Sequence, residues 1–284
     1  MVVSPAGGVY PEDRLIRELV GTGPAPAALG AFGAVSAGLF GLLVGSFLNV
    51  LIHRLPREES IVRPGSHCPA CGGPIRPLDN VPVISWLLLL GRCRTCRAPI
   101  PVRYPLVELS NGGLWAAAFW RSPSMADFLS GAFLCSACLA LAWIDADFQI
   151  LPDAITLPGI AAGLVLALLS VERTFRGALM GAAVGAGALY LVGWGWSRLR
   201  KVEAMGLGDV KMLGMVGAFL GIWGVFVTVF LGSVLGSLVG LSLVVSRRGS
   251  LATALPFGVY LAVGAVAAYF FGSPLLSGYR SLWP

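Results

Sequence analysis

The chain has 284 residues, 56% of them hydrophobic and only 12% charged, and its mean hydropathy is +0.81. Soluble domains carry about 25% charged residues, so a soluble globular protein is excluded. The formal charge of +6 is no sign of nucleic acid, because the basic residues concentrate beside apolar runs, as they do at the inner ends of membrane helices.

Residues 1–28 hold Pro5, Pro11, Pro24, Pro26 and a charged stretch over 12–18, with no apolar segment before Leu29. They read as an N-terminal tail rather than a cleavable signal. Apolar runs then predict membrane spans at 29–52, 105–120, 127–144, 154–170, 177–197, 209–222, 223–245 and 254–272. The expected fold is therefore an all-α polytopic membrane protein of about eight transmembrane helices, since a crossing needs roughly 20 apolar residues. A small cytoplasmic zinc-knuckle loop domain at 53–104 would interrupt them, and 273–284 would form a C-terminal tail. The boundary near Gly221 is the weakest, because 209–245 could also be one bent helix. Recurrent small pairs, Gly181/Gly185, Gly217/Gly221 and Gly232/Gly236/Gly240, predict close helix packing. No internal repeat stands out.

The positive-inside rule orients the spans. With the 53–104 loop inside, its arginines join Arg198, Arg200, Lys201, Lys211, Arg247 and Arg248 on that face. Arg14, Arg17, Arg121, Arg173, Arg176 and Arg280 lie on the other. The loop carries Cys68-Pro-Ala-Cys71 and Cys93-Arg-Thr-Cys96. Two such knuckles present four thiolates tetrahedrally, which suits structural Zn²⁺. Disulfides are the competing reading, and a reducing cytoplasm disfavours them. Cys135 and Cys138 lie mid-span and read as small core residues. His53 and His67 are read as solvated or interfacial groups.

Two acid clusters sit at membrane depth: Asp145, Asp147 and Asp153 after the third span, and Gly206-Leu-Gly208-Asp209-Val-Lys211 opening the sixth. Carboxylates there are costly and point to function. Asp145 and Asp209 fall at matching depth. A carboxyl pair sharing one proton supplies a general base for water and an acid for the scissile carbonyl. Gly206 and Gly208 would allow unusual dihedrals and close approach of a substrate backbone to Asp209. Pro152 would end a helix and leave Asp153 on a turn. Otherwise Asp147 and Asp153 would be loop charges or partners of Arg198, Arg200 and Lys201.

With these residues in place, the chain resembles the bacterial type IV prepilin peptidases, GxGD membrane aspartic proteases. The resemblance rests on Gly45-Ser-Phe-Leu-Asn-Val50 with Arg54-Leu-Pro56, the paired knuckles, Asp79-Asn-Val-Pro82, and Arg103-Tyr-Pro-Leu-Val-Glu108. It continues through Ile144-Asp-Ala-Asp147, Leu151-Pro-Asp153, Gly206–Lys211 and Pro256-Phe-Gly258. It implies catalytic Asp145 and Asp209, supported by Gly206, Gly208, Asp147, Asp153 and Lys211. It implies type IV prepilin or pseudopilin substrates, cut after a Gly at the cytoplasmic face of the bacterial inner membrane, in contact with lipid and without nucleic acid. It further implies N-methylation by S-adenosylmethionine, with Gly91 at the implicated glycine position. Peptidase activity alone, a proton-coupled transporter and a non-catalytic assembly scaffold are the alternatives; the oligomeric state stays open.

Overall fold

A computed structural model describes residues 26–200, 206–246 and 255–281. Most of the predicted N-terminal tail, with Arg14 and Arg17, lies outside the described residues, as do Lys201, Arg247 and Arg248. In chain order the helices are α1 (Pro26–Arg54), a one-turn α2 (Ile84–Leu88), α3 (Arg103–Arg121), α4 (Met125–Phe148) and α5 (Asp153–Leu169). They are followed by α6 (Phe175–Arg200), α7 (Leu207–Val245) and α8 (Phe257–Ser281). Four stretches, Leu29–Arg57, Met125–Phe148, Phe175–Leu199 and Leu207–Val245, are long and apolar enough to cross a bilayer, and Asp153–Leu169 and Phe257–Gly272 are shorter apolar helices. The chain is an integral membrane protein. Pro274 lies inside α8, which runs on past the expected end of the last span at residue 272.

The 39-residue α7 is not one rod. Gly221 breaks it with φ 68 and ψ −174, a conformation that a side chain would strain. A Cβ built on Gly185 of α6 would touch both Leu213 O, before the break, and Val225 Cγ2 beyond it at 3.2 Å. One point on α6 meets both halves only if the chain doubles back at Gly221, so α7 supplies two antiparallel crossings. With α1, α3, α4, α5, α6 and α8 these give eight helical segments among the described residues, at the places of the eight predicted spans.

Glycines let these helices touch backbone to backbone. A Cβ on Gly181 would run into the Gly217 carbonyl and sit 2.6 Å from Gly221 Cα. Gly217→Ile therefore cannot be absorbed by a rotamer change. It is expected to destabilise the protein by about 3 kcal/mol or more, since overpacking here must move backbone. A fall in detergent-resistant melting temperature checks this; an unchanged melt would refute the contact.

Polar side chains tie the amino-terminal helices together inside the bundle. Asn111 of α3 donates to Gly41 O of α1 at 2.7 Å and accepts from Ser136 of α4 at 2.8 Å. Trp115 donates to the same Ser136 hydroxyl at 2.8 Å. Buried groups of this kind must be paired because lipid offers no partners. Cys135 and Cys138 are fully buried among apolar neighbours, in keeping with core residues. At the end of the bundle away from the cysteine loop, Arg173 donates to Phe219 O at 2.9 Å and to Ser130 Oγ at 2.6 Å. Asp127 receives Ser124 at 2.7 Å and also Ser170. These bonds pin the α5–α6 connection against α4 and the turn of α7.

Candidate active site and metal centre

α4 ends where Gln149 turns left-handed (φ 54), so Asp145 lies in its last full turn, only 5% exposed. Its Oδ2 accepts the backbone N–H of Val259 at 3.1 Å, at the start of α8. A Cβ on Gly258 would sit 2.9 Å from both Asp145 Oδ2 and Leu151 Cδ2. Only a glycine leaves α8 this close to the carboxyl. Leu151 in turn lies against Gly208, where a Cβ would come within 2.9 Å of Leu151 Cβ. The next residue is Asp209, half-buried in the first turn of α7. Leu151 is thus the wedge around which α4, α7 and α8 converge. Asp145, through Gly258, and Asp209, through Gly208, are set around the same leucine.

The expected glycine dihedrals are not what the structure shows. Gly206 is extended (φ −69, ψ 141), and Gly208 is helical, so neither adopts a glycine-only conformation. Gly208 is required for room beside Leu151. Among the described residues, a Cβ on Gly206 would meet nothing nearer than Asp209 Oδ2 and Gly208 N, both 3.9 Å away.

The remaining acids find cations other than those expected. Asp147 pairs with Arg103 at the start of α3, whose guanidinium also lies 5.3 Å from the Trp143 ring centroid. Lys211 Nζ lies 2.7 Å from both oxygens of Asp153. Asp153 is not on a turn: Pro152 caps α5 and Asp153 occupies its first helical turn, where the dipole favours an acid. The two pairs brace the site. Arg103–Asp147 ties the end of the cysteine loop to α4, and Lys211–Asp153 ties α7 to α5. Arg103 and Leu151 carried no role in the sequence reading, although both stand in the blocks that carried the family resemblance.

The loop between α1 and α3 folds as two matched knuckles. Cys68 N donates to Gly73 O at 2.9 Å and Cys93 N to Ala98 O at 2.8 Å. Gly72 (φ 68) and Arg97 (φ 60) take the same left-handed turn one residue after the second cysteine of each pair. Ile75 donates back to Ser66 O, and Ile100 to Gly91 O. Cys-x-x-Cys-x-x-Pro-Ile is therefore a short internal repeat, contrary to the reading that none stood out. Its two copies share only the cysteines, proline and isoleucine, too few for composition to reveal.

All four sulfurs lie within 4.8 Å of one another, and Cys68 Sγ is 3.8 Å from Cys96 Sγ. A tetrahedral zinc with Zn–S of about 2.3 Å needs sulfurs about 3.8 Å apart, so the donor set fits zinc. All four cysteines are free thiols. The N–H groups of Cys96 and Thr95 pull the Cys93 thiol down to about 6. The Ala98 N–H favours a thiolate at Cys96 too, but burial and the neighbouring thiols together push that group up to about 11. Four thiolates this close repel, and a divalent cation removes that repulsion.

The description "Bacterial Peptidase A24 N-terminal domain" matches residues 39–122, and "Type IV leader peptidase family" matches residues 132–241. A Burkholderia pseudomallei (strain 1026b) protein named "Prepilin leader peptidase/N-methyltransferase" is 38% identical over 282 residues, covering 88% of this chain and 91% of that protein. The chain belongs to the type IV leader peptidase family. A Pseudomonas putida relative of the same name is 40% identical over 269 residues, 87% of this chain and 93% of its own. One from Myxococcus xanthus (strain DK1622) is 44% identical over 218 residues, 76% of this chain and 64% of its own. No solved structure matches. The first family segment contains all four clustered cysteines and the second both converging aspartates.

Proposed function

We propose that this member of the type IV leader peptidase family removes the basic leader of type IV prepilin or pseudopilin precursors and then methylates the new N-terminal amine. The observation that carries the peptidase reading is the convergence of Asp145 and Asp209 around Leu151, with Gly258 and Gly208 making room. In this reading one ionised carboxylate takes a proton from water, the water oxygen attacks the scissile carbonyl, and the protonated partner donates to the carbonyl oxygen. The carboxyl that took the water's proton passes it to the leaving amine as the C–N bond breaks, and its partner recovers a proton from the hydroxyl as the carbonyl re-forms. Asp145 is held by the Val259 N–H, so its orientation is preset, while the Asp209 carboxyl lies beside Gly206, the residue that precedes α7.

The basic face formed by the cysteine loop meets the acid clusters through Arg103–Asp147, which supports placing both on the cytoplasmic side of the inner membrane. Zinc on Cys68, Cys71, Cys93 and Cys96 would hold the 53–104 loop, which is assigned to methylation, and 105–272 to proteolysis. S-adenosylmethionine would supply the methyl group. Gly91 has φ 65, and a Cβ there would come 2.9 Å from Trp86 Cζ2. Its contribution to methylation is therefore indirect: it lets the Trp86 indole lie flat on the chain, fixed by Nε1 donating to Ile100 O at 3.1 Å.

The test is incubation of the full chain in detergent with a model prepilin and S-adenosylmethionine, followed by mass spectrometry of the product. Cleavage after the leader glycine, with one methyl added to the new terminus, is the expected result. Cleavage without the methyl would leave a peptidase alone. An uncut substrate would remove the reading.

A further inference from the structure

A cavity of about 350 Å³ lies between the inner end of α1, the start of α3 and the two knuckles. Small-molecule sites occupy roughly 300–1,000 Å³, so it is large enough for a nucleoside-sized ligand. Trp86 and Tyr104 give it aromatic walls, while Ser46, Asn49 and Glu108 give it polar ones. It is separate from the paired aspartates, although Tyr104 adjoins Arg103, the partner of Asp147.

Three arginines and three acids line this cavity: Arg54, Arg76 and Arg94 against Glu59, Asp79 and Glu108, with Arg76 acting on Asp79. Asp79 is gripped by Arg94 through Nε at 2.8 Å and Nη2 at 2.6 Å. Arg54 spends its guanidinium on the carbonyls of Ser60 and Pro64, both at 2.8 Å. Glu59 lies 3.9 Å from His53. Glu108 differs from these. It is only 7% exposed, and its partners are neutral: the Val83 N–H at 2.8 Å and the Ser46 side chain. None of the ion pairs among the described residues includes it. A buried carboxylate without a cation is costly, and a cationic ligand offsets that cost. Beside aromatic faces, which also favour cations, the wall is suited to a compact organic cation.

We propose that this cavity binds the methyl donor S-adenosylmethionine, with the Glu108 carboxylate facing the positive sulfonium centre. This rests on the methylation reading above and assigns it a pocket and an anchoring residue. The donor and its product S-adenosylhomocysteine share the adenosine, the ammonium and the carboxylate. They differ only in the methyl group and its sulfonium charge. A residue that holds that charge must therefore distinguish them.

Equilibrium dialysis of each compound against the full detergent-solubilised chain, wild type and Glu108→Gln, tests this without any turnover. The wild type is expected to bind both. Glu108→Gln is expected to weaken S-adenosylmethionine about 10-fold or more while leaving S-adenosylhomocysteine within about 2-fold, the signature of losing one charged partner. Equal weakening of both, or no weakening of either, would overturn the assignment. A wild type that binds neither compound would instead remove the methylation reading on which the assignment stands. Should Glu108→Gln fail to accumulate as folded protein, ultraviolet cross-linking of labelled S-adenosylmethionine to wild type decides the matter. An adduct on Trp86 or Tyr104 supports the pocket, and adducts confined elsewhere refute it.

Discussion

Asp209→Asn and Asp145→Asn are each expected to lower prepilin cleavage about 1,000-fold or more, the usual loss when a general acid or base is removed. Asparagine keeps the shape of the side chain but neither takes nor gives the proton. At Asp145 it can still accept the Val259 N–H, so α8 should remain docked. The double variant should be little worse than either single one, because two carboxyls that share a proton act as a unit. Stability should move the other way. Two carboxylates in one half-buried place repel, so neutralising one is expected to leave the melting temperature unchanged or raised. Rates measured on a model prepilin, beside thermal melts, check both statements. Either single variant cleaving within about 10-fold of wild type would exclude the two-aspartate chemistry.

Cys93→Ser is expected to empty the metal centre. Zinc content should fall from about one ion per chain towards none, because a structural site needs all four ligands. The effect on the loop should be large. Within 58–102, only Cys68, Pro82 and Gly91 are buried, and the rest is exposed or half-exposed. With zinc on the four cysteines, a segment with so small an apolar core would derive its order from metal binding, because that binding energy is folding energy. Amides in the knuckles, such as those of Cys68 and Ile100, are expected to exchange about 100-fold faster or more once the metal is lost. The cores of α4 and α7 should keep their protection, since they pack through glycine contacts and apolar side chains remote from the loop. Zinc content by mass spectrometry and hydrogen exchange read the two effects separately. Full zinc retention in Cys93→Ser would remove the ligand assignment.

Most of the fold was legible because a bilayer simplifies the code. Long apolar runs have one stable outcome, a helix across the membrane, and arginine placement orients it. Eight spans, the paired knuckles and the two acid clusters could therefore be placed from residue order. Even the weakest boundary, at Gly221, carried a local signal. A glycine inside a 39-residue apolar stretch too long for one crossing is where the chain turns back.

What sequence could not supply was who meets whom across the bundle. Asp147 and Asp153 were visible as acids, but their partners Arg103 and Lys211 lie 44 and 58 residues away along the chain. Leu151 stood in a block of the family resemblance without a role; the convergence of α4, α7 and α8 makes it the wedge beside the aspartates. Gly208 suggested backbone freedom, and the structure assigns it to packing. Glu108 read as part of a motif, whereas its burial beside a cavity with neutral partners emerged from the meeting of α1, α3 and the loop. Composition and spacing determine which segments enter the membrane and which residues can do chemistry, because those are local free energies. Which carboxyl meets a cation, which meets another carboxyl and which faces a cavity depend on helices brought together from distant parts of the chain, and only the tertiary structure decides them.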